Sequence, residues 1–242
     1  AIGLKTYSKQ YPCENFTITN CVIHSNWAAI RLGPESGGDM RNITVSNCVF
    51  NDCSDGLKVQ VWNAGTAFED LTFSNINMVN VKRPFFFTNS EHSMTGREEE
   101  AGIPTSVIRR VQIDNVNAGT IQTEHDWFEE MCVFVGCPGQ WIEDLTIANL
   151  YVRSRGFGKR EWAENMEVPS FIEYIPRYPD VVWHHWTSAC LFLRYAKRVK
   201  LYNCVFAPTN PDARPAVEAE VVDGFKMSQA EQRNCGALLQ YH

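Results

Sequence analysis

Long apolar runs are missing from this sequence: none approaches the roughly 18 residues of a membrane-spanning helix, and no basic-then-apolar leader stands in its 242 residues. Basic residues are in the minority, with 22 Lys and Arg against 28 Asp and Glu and a net charge of −6. That overall charge does not draw in a polyanion, so any anion binding must be local. The nine cysteines are an odd number with no tight disulfide framework, and several fall at inward strand positions, so most read as free and buried. Cys132 and Cys137 bracket "VFVG", which is wrong for a zinc knuckle and reads as a strand. His184 and His185 in "WHHW" have no third ligand at metal spacing, and "GFGK" at 156–159 lacks the rest of a phosphate-binding signature. No dense Asp cluster suggests a calcium site, so neither metal nor cofactor is expected.

What the chain does have is repetition. "NFTITNC" at 15–21 returns as "NITVSNC" at 42–48, and in weaker form as "DLTFSNI", "RVQIDNV", "DLTIANL" and "RVKLYNC". Each copy alternates apolar and polar residues, the pattern of a strand with one buried face, and ends on Asn followed by Cys or an aliphatic. The Asn positions are 20, 47, 75, 115, 149 and 203, so the first spacings are 27 and 28. The later ones, 40, 34 and 54, leave room for polar inserts such as "SEHSMTGREEEAG". A strand recurring at this period with no amphipathic helix between copies predicts a parallel β-helix, an all-β solenoid. The alternative is a β-sandwich whose strands resemble one another by chance. In the solenoid, Asn20, Asn47 and Asn75 form a ladder at one turn, with Cys21, Cys48 and Cys204 just inside as small apolar fillers. Asn15 and Asn42 stand in Asn-x-Thr sequons, but the strand pattern alone accounts for both Thr residues.

The Asn ladder brings a second set of strands into register: "AIGLK" at 1–5, "AIRLG" at 29–33 and "GLKVQ" at 56–60. Ile2, Ile30 and Leu57 then share one inward column, and Leu4, Leu32 and Val59 the next. Outward lie Gly3, Arg31 and Lys58, with Lys5, Gly33 and Gln60 beside them. Two cations stacked on neighbouring strands repel. They are either solvated surface charges or a local anion-binding stripe. As an exposed cation, Lys58 is expected to contribute little to stability. The sequence starts inside a strand, so the solenoid is expected to be incomplete at that end, its first coil covered by a preceding segment or a second chain. The stretch 151–188 is rich in aromatics, charges and prolines, and breaks the rhythm before "ACLFLRY" restores it. One domain over 1–242, with insertions near 90–105 and 151–188, follows.

Residues 1 to about 90, and more weakly 141–150 and "RVKLYNCVFAPTNPDARPAV", resemble glycoside hydrolase family 28, the polygalacturonase and rhamnogalacturonan hydrolase group. The likeness is to the C-terminal part of divergent bacterial members. It implies a right-handed parallel β-helix, inverting hydrolysis of pectic polysaccharide, and a secreted or periplasmic protein. The family's Asp-Asp pair precedes a strand matched here by "AIGLK", so it would lie just before Ala1. The family's Gly-His-Gly segment falls on Trp27, Ala28 and Ala29, without its His. Its Arg-Ile-Lys segment falls on Lys58, Val59 and Gln60, keeping one cation of two.

Inverting glycosidases need a protonated carboxyl and an ionised one, roughly 6.5–9.5 Å apart. Side chains one or two coils apart in a solenoid stand at about 5–10 Å. Asp55 occupies the register of the absent second Asp, two coils on, and Glu35 in "GPESGGD" is placed to reach the same face. These two are the candidate catalytic residues. Asp55 reads equally as a turn residue in "CSDG", and Glu35 as a loop carboxylate. The candidate substrate-binding set is Lys5, Arg31, Lys58, Gln60 and Trp62. Phe86 is either a second stacking platform or a buried residue, and "TEHDWFEE" at 123–130 either lines a sugar cleft or is a solvated loop. The partner expected is an acidic plant polysaccharide or oligosaccharide, with no nucleic acid and no membrane. A non-catalytic carbohydrate-binding or structural β-helix is the alternative, and a lyase or epimerase on the same scaffold is a third.

Overall fold

The computed structural model describes residues 1–34, 36–63, 65–93, 105–120, 131–165 and 186–242, with the side chains of 62, 63, 90–93 and 165 excepted. The architecture is all-β. Its first half holds β1 (Ile2–Leu4), β2 (Cys13–Thr19), β3 (Val22–Leu32), β4 (Met40–Asn63), β5 (Ala67–Ser93), β6 (Val107–Gly119) and β7 (Cys132–Val135). Then come β8 (Ile142–Arg153), the short helix α1 (Arg160–Asn165), β9 (Leu191–Lys197), β10 (Lys200–Tyr202) and β11 (Val205–Phe206). The chain closes with β12 (Asp212–Asp223), β13 (Lys226–Ser228), β14 (Glu231–Gln232) and β15 (Cys235–Tyr241). Helix α1 falls within the stretch 151–188 that interrupts the repeat.

Strands of 24 and 27 residues, β4 and β5, cannot be straight, because at about 3.3 Å per residue the longer would run to roughly 90 Å. They turn where a residue adopts positive φ: Asn42, Asn47 and Asp52 in β4, and Asp70, Asn75 and Asn80 in β5. Asn and Asp are the side-chain-bearing residues that tolerate this conformation best. The repeated Asn therefore marks a corner. All six, Asn20, Asn47, Asn75, Asn115, Asn149 and Asn203, have φ between 50° and 57°.

The strands joined at those corners pair in parallel with their own later copies. Phe16 aligns with Ile43, Ile43 with Leu71, Leu71 with Val111 and Val111 with Leu145, offsets of 27, 28, 40 and 34. Ile147 aligns with Leu201 and Leu201 with Met227, offsets of 54 and 26. The residues 94–104, 121–130 and 166–185, which fall in the three longer intervals, lie outside the described residues. Because β5 is long enough to pair with β6 early and β7 late, five strands close into a ring: β5, β6, β8, β9, β7 and back to β5.

Parallel stacking in register puts like residue on like. The amide of Asn75 donates to Asn47 at 3.1 Å, that of Asn115 to Asn75 at 2.8 Å, and that of Asn203 to Asn149 at 2.7 Å. Asn149 donates to Asp114 at 2.7 Å, and Asn20 joins through its backbone N–H, which donates to the Ser46 carbonyl at 3.3 Å. A second corner column begins with Asn42 donating to Asn15 at 3.2 Å and continues as charges. Arg110 grips Asp70 through two bonds of 2.7 and 2.9 Å, and Arg198 grips Asp144 through two of 2.6 and 3.0 Å.

Inside lies a single apolar column system. Ile2 pairs with Ile30 and Ile30 with Leu57, while Leu4 pairs with Leu32 and Leu32 with Val59, as the period-two pattern predicts. Ile30, Leu32, Leu57, Val59, Phe73, Phe85, Phe87 and Phe134 are buried, with Phe87 and Phe134 ring centroids 4.8 Å apart. All nine cysteines are free; Cys48 and Cys204 are buried in the core, and Cys21 packs half-buried against it. Cys132 opens β7, and Cys137 forms a bridge with Gln140 just beyond it.

The corner explanation predicts a graded response at Asn75. Asn75→Ala forces a Cβ-bearing residue without a local polar group into positive φ, at a cost of about 1–2 kcal/mol, and removes ladder bonds worth roughly 1 kcal/mol. Asn75→Gly keeps the turn and loses only the ladder. In urea unfolding, Ala should be more destabilised than Gly by about 1–2 kcal/mol, the cost of the left-handed conformation. Equal losses would mean that the turn conformation contributes nothing.

Candidate functional site

The third strand run of the repeat carries the cations. Gly3 pairs with Arg31, Arg31 with Lys58 and Lys58 with Phe86, so the two cations sit on adjacent rungs as their register requires. The rung continues from Phe86 to Val133 and from Val133 to Phe192. Those three residues with Met131, Val135 and Trp186 form a second apolar cluster, separate from the main core. Phe86 is thus a buried packing residue, which settles the choice against a sugar-stacking platform.

Asp55 lies just after the Asp52 corner of β4, in the column Ala28, Asp55, Arg83. Its side chain is 1% exposed, with Arg83 Nε at 2.6 Å and Lys58 Nζ at 3.2 Å from its carboxylate oxygens. Arg31 donates to the Gln60 side-chain oxygen at 3.0 Å, which orients the guanidinium. Both Lys58 and Arg83 lie over the Phe86 ring, at 4.9 and 4.2 Å from its centroid, so the apolar platform supports the cation pair. A cleft of about 130 Å³ opens against Gly3, Trp27, Ala28, Arg31, Asp55 and Lys58, and Trp27 is exposed at its edge.

Burial alone would raise the Asp55 carboxyl, but Arg83 and Lys58 outweigh it and hold it below the ordinary carboxylate value. Lys58 is pushed down to about 8, first by burial and then by Arg83 and Arg31, against the pull of Asp55. At neutral pH Arg31, Lys58, Arg83 and Asp55 comprise three cations and one anion, a charge of about +2 among the described residues of the site, on a chain of −6. Such a cluster can hold a carboxylate beside an ionised Asp.

The expected set is only partly brought together. Asp55, Arg31, Lys58 and Gln60 converge, and Asp55 holds the register expected of it, opposite Ala28. Lys58 is not the exposed cation expected: its side chain is 14% exposed and ion-paired, because the Asp55 carboxylate and the Phe86 ring both lie against its ammonium. Gln60 is buried at 3% and positions Arg31. Lys5 is exposed and does not line the cleft. Glu35, the Trp62 side chain, the 123–130 cluster, His184 and His185 lie outside the described residues. Arg83 is absent from the expected set, although the period points to it: one repeat beyond Asp55 comes the cation that neutralises it. Phe157 and Gly158 of "GFGK" have a structural role, since the Gly158 N–H donates to Asp212, which also binds Arg214.

No family model, curated protein or solved structure matches the chain.

Two substitutions separate the partners of Asp55. Arg83→Met takes from the buried Asp55 carboxylate the closer of its two cations and should destabilise by about 3–5 kcal/mol. Lys58→Met should be far milder at pH 7, because it also relieves cation repulsion and the burial of a charge. The Lys58 pKa is lower folded than unfolded, so the unfolded chain binds more protons between pH 8 and about 10.4. Wild-type stability relative to Lys58→Met should then rise across that window by up to about 3 kcal/mol. Parallel stability-against-pH curves for the two proteins would refute the assignment.

Proposed function

We propose that the chain is a right-handed parallel β-helix that binds and hydrolyses acidic, pectin-type polysaccharide, with Asp55 as its ionised catalytic carboxylate. The solenoid reading is supported by the parallel register and by corners of positive φ recurring at the repeat period. Connections between parallel strands of one sheet are nearly always right-handed. The observation that carries the functional reading is the cleft in which Arg31 and Lys58 flank a carboxylate beside an exposed Trp27. Arg31 and Lys58 hold a uronate carboxylate by charge-assisted bonds, and Trp27 offers a ring face to the sugar. Asp55, kept ionised by Arg83, accepts a proton from the attacking water. An inverting mechanism also needs a protonated partner roughly 6.5–9.5 Å away. No second carboxylate lines the cleft among the described residues.

That last point favours a second reading, a non-catalytic binder of acidic carbohydrate, in which Asp55 serves only to gather the cations. The two are separated by one assay. Release of reducing ends from polygalacturonate should be measurable with wild type and fall about 10²-fold or more in Asp55→Asn, each checked as folded by thermal melting. Binding without any hydrolysis by wild type would leave the second reading.

Substrate charge gives the companion test. Lys58→Met should weaken oligogalacturonate about tenfold or more, from a charge-assisted bond of roughly 1.5–3 kcal/mol, and leave a neutral galactan of equal length unaffected. Equal losses for both ligands would remove Lys58 from the site.

A further inference from the structure

A second cationic column runs elsewhere on the molecule. Asn51 pairs with Val79, Val79 with Gly119 and Gly119 with Arg153. The next residues in line are Ala207 and Arg233. Ala207 follows Phe206, which pairs with Val152, and Arg233 follows Gln232, which pairs with Phe206. The Arg233 N–H donates to the Phe206 carbonyl at 2.8 Å, so the parallel ladder continues to this rung. Arg153 and Arg233 are thus two rungs apart, about 10 Å along the stack, with only a methyl group between them. Gly119 makes room for the first: a Cβ there would come within 2.9 Å of the Arg153 guanidinium.

These residues open on a cleft of about 400 Å³, lined also by Tyr151, Thr209, Asn210 and Asn234. Among the described residues no carboxylate pairs with Arg153, which is exposed, and Arg233 meets Glu231 at 2.6 Å with both side chains more than half exposed. Asn210 and Asn234 donate their amides to the carbonyls of Arg155 and Pro208, each at 2.9 Å. What those amides retain is chiefly acceptor capacity, which suits sugar hydroxyls. The lining comes from successive rungs, so the cleft extends along the stack and fits a chain better than a compact anion. It shares no residue with the Asp55 cleft.

We propose that this groove is a second glycan site that binds acidic oligosaccharides through two acid groups, carboxylate or sulfate, bridged across Ala207 by Arg153 and Arg233. The proposal shares its ligand class with the hydrolase reading and stands on different residues.

The test measures binding calorimetrically on the whole 242-residue chain in the Lys58→Met background, which weakens the other site about tenfold or more. The probes are oligogalacturonate, a sulfated galactan oligomer, galacturonate monomer and neutral galactan. Acidic oligomers should still bind, more weakly as salt rises. Adding Arg153→Gln with Arg233→Gln should lower that affinity tenfold or more, and each single change should account for part of the loss. Both arginines are on the surface, so the far-ultraviolet spectrum and melting temperature should not move. The carboxylated and sulfated arms identify which acid group is preferred. The proposal is overturned by the absence of acidic-oligomer binding in the Lys58→Met protein, by unchanged affinity in the arginine variants, or by neutral galactan or monomer binding as tightly. If Lys58→Met binds as wild type does while the arginine variants lose binding, the groove stands and the Asp55 cleft loses its substrate.

Discussion

A strand that must bend every few residues, and stack on itself each time, needs residues that hold a positive φ without breaking the ladder of backbone bonds. Everything else in this protein depends on that constraint. Asn meets it because its short amide bonds locally and tolerates the left-handed region, and because the amide also reaches the next rung. The donor chain from Asn115 to Asn75 to Asn47 is the outcome. Where the corner column changes chemistry, from the Asn15–Asn42 pair to Asp70, Arg110, Asp144 and Arg198, the conformation stays and only the side-chain pairing is replaced. Positive φ at an arginine is unfavourable in itself, and the bidentate grip on an Asp one rung away helps offset it. The corner selects the backbone shape, and the stack then selects a self-complementary side chain.

The same stacking turns function into a matter of rungs. Two residues one period apart stand about 4.8 Å apart on the same face, whatever the sequence distance between them. Asp55 and Arg83 meet in this way, as do Arg31 and Lys58. Environment then decides what each pair is worth. Arg110 and Asp70 are exposed, and solvent screens them to a small contribution. Arg83 and Asp55 are buried, and there the loss of one partner leaves a desolvated charge. Identical ion types in identical register thus serve as a surface ladder in one column and as the anchor of a candidate site in another.

The repeat is legible because it is written in residue types that physics restricts. Asn at a positive-φ corner and alternating aliphatics leave few substitutes, so "NFTITNC" and "NITVSNC" disclose the register, the inward columns and the free cysteines. The adjacency of Arg31 and Lys58 follows from that register directly. What is not legible is the meeting of Asp55 with Lys58, three residues apart and so on opposite faces by a period-two count, which takes the lysine partly out of water. A period-two count assigns faces along a straight run and is blind past a corner. The choice between a stacking and a buried Phe86 stays open for a related reason: it is covered by a second apolar cluster, and nothing in local alternation marks an outward residue as covered. The column of Arg153, Ala207 and Arg233 stays hidden because its last rung follows a corner at Gln229, outside the set of repeated Asn phrases.

The two cation pairs answer the problem posed by a net charge of −6 in different ways. At the first cleft the cations are on adjacent rungs, and their repulsion is held down by an intervening carboxylate, an aromatic platform and a lysine pKa of about 8. Such a site carries its own counter-ion, so an incoming acid group would meet a fixed anion as well as the cations. At the second cleft Arg153 and Arg233 are on alternate rungs with Ala207 between, and Arg155 lines the same cleft, so distance and solvent, and no buried counter-ion, limit their repulsion among the described residues. Such a site exchanges solvent and salt for a ligand's acid groups, the arrangement that holding a chain requires. Spacing of one rung or two is enough to separate cations that share a buried anion from cations that face solvent.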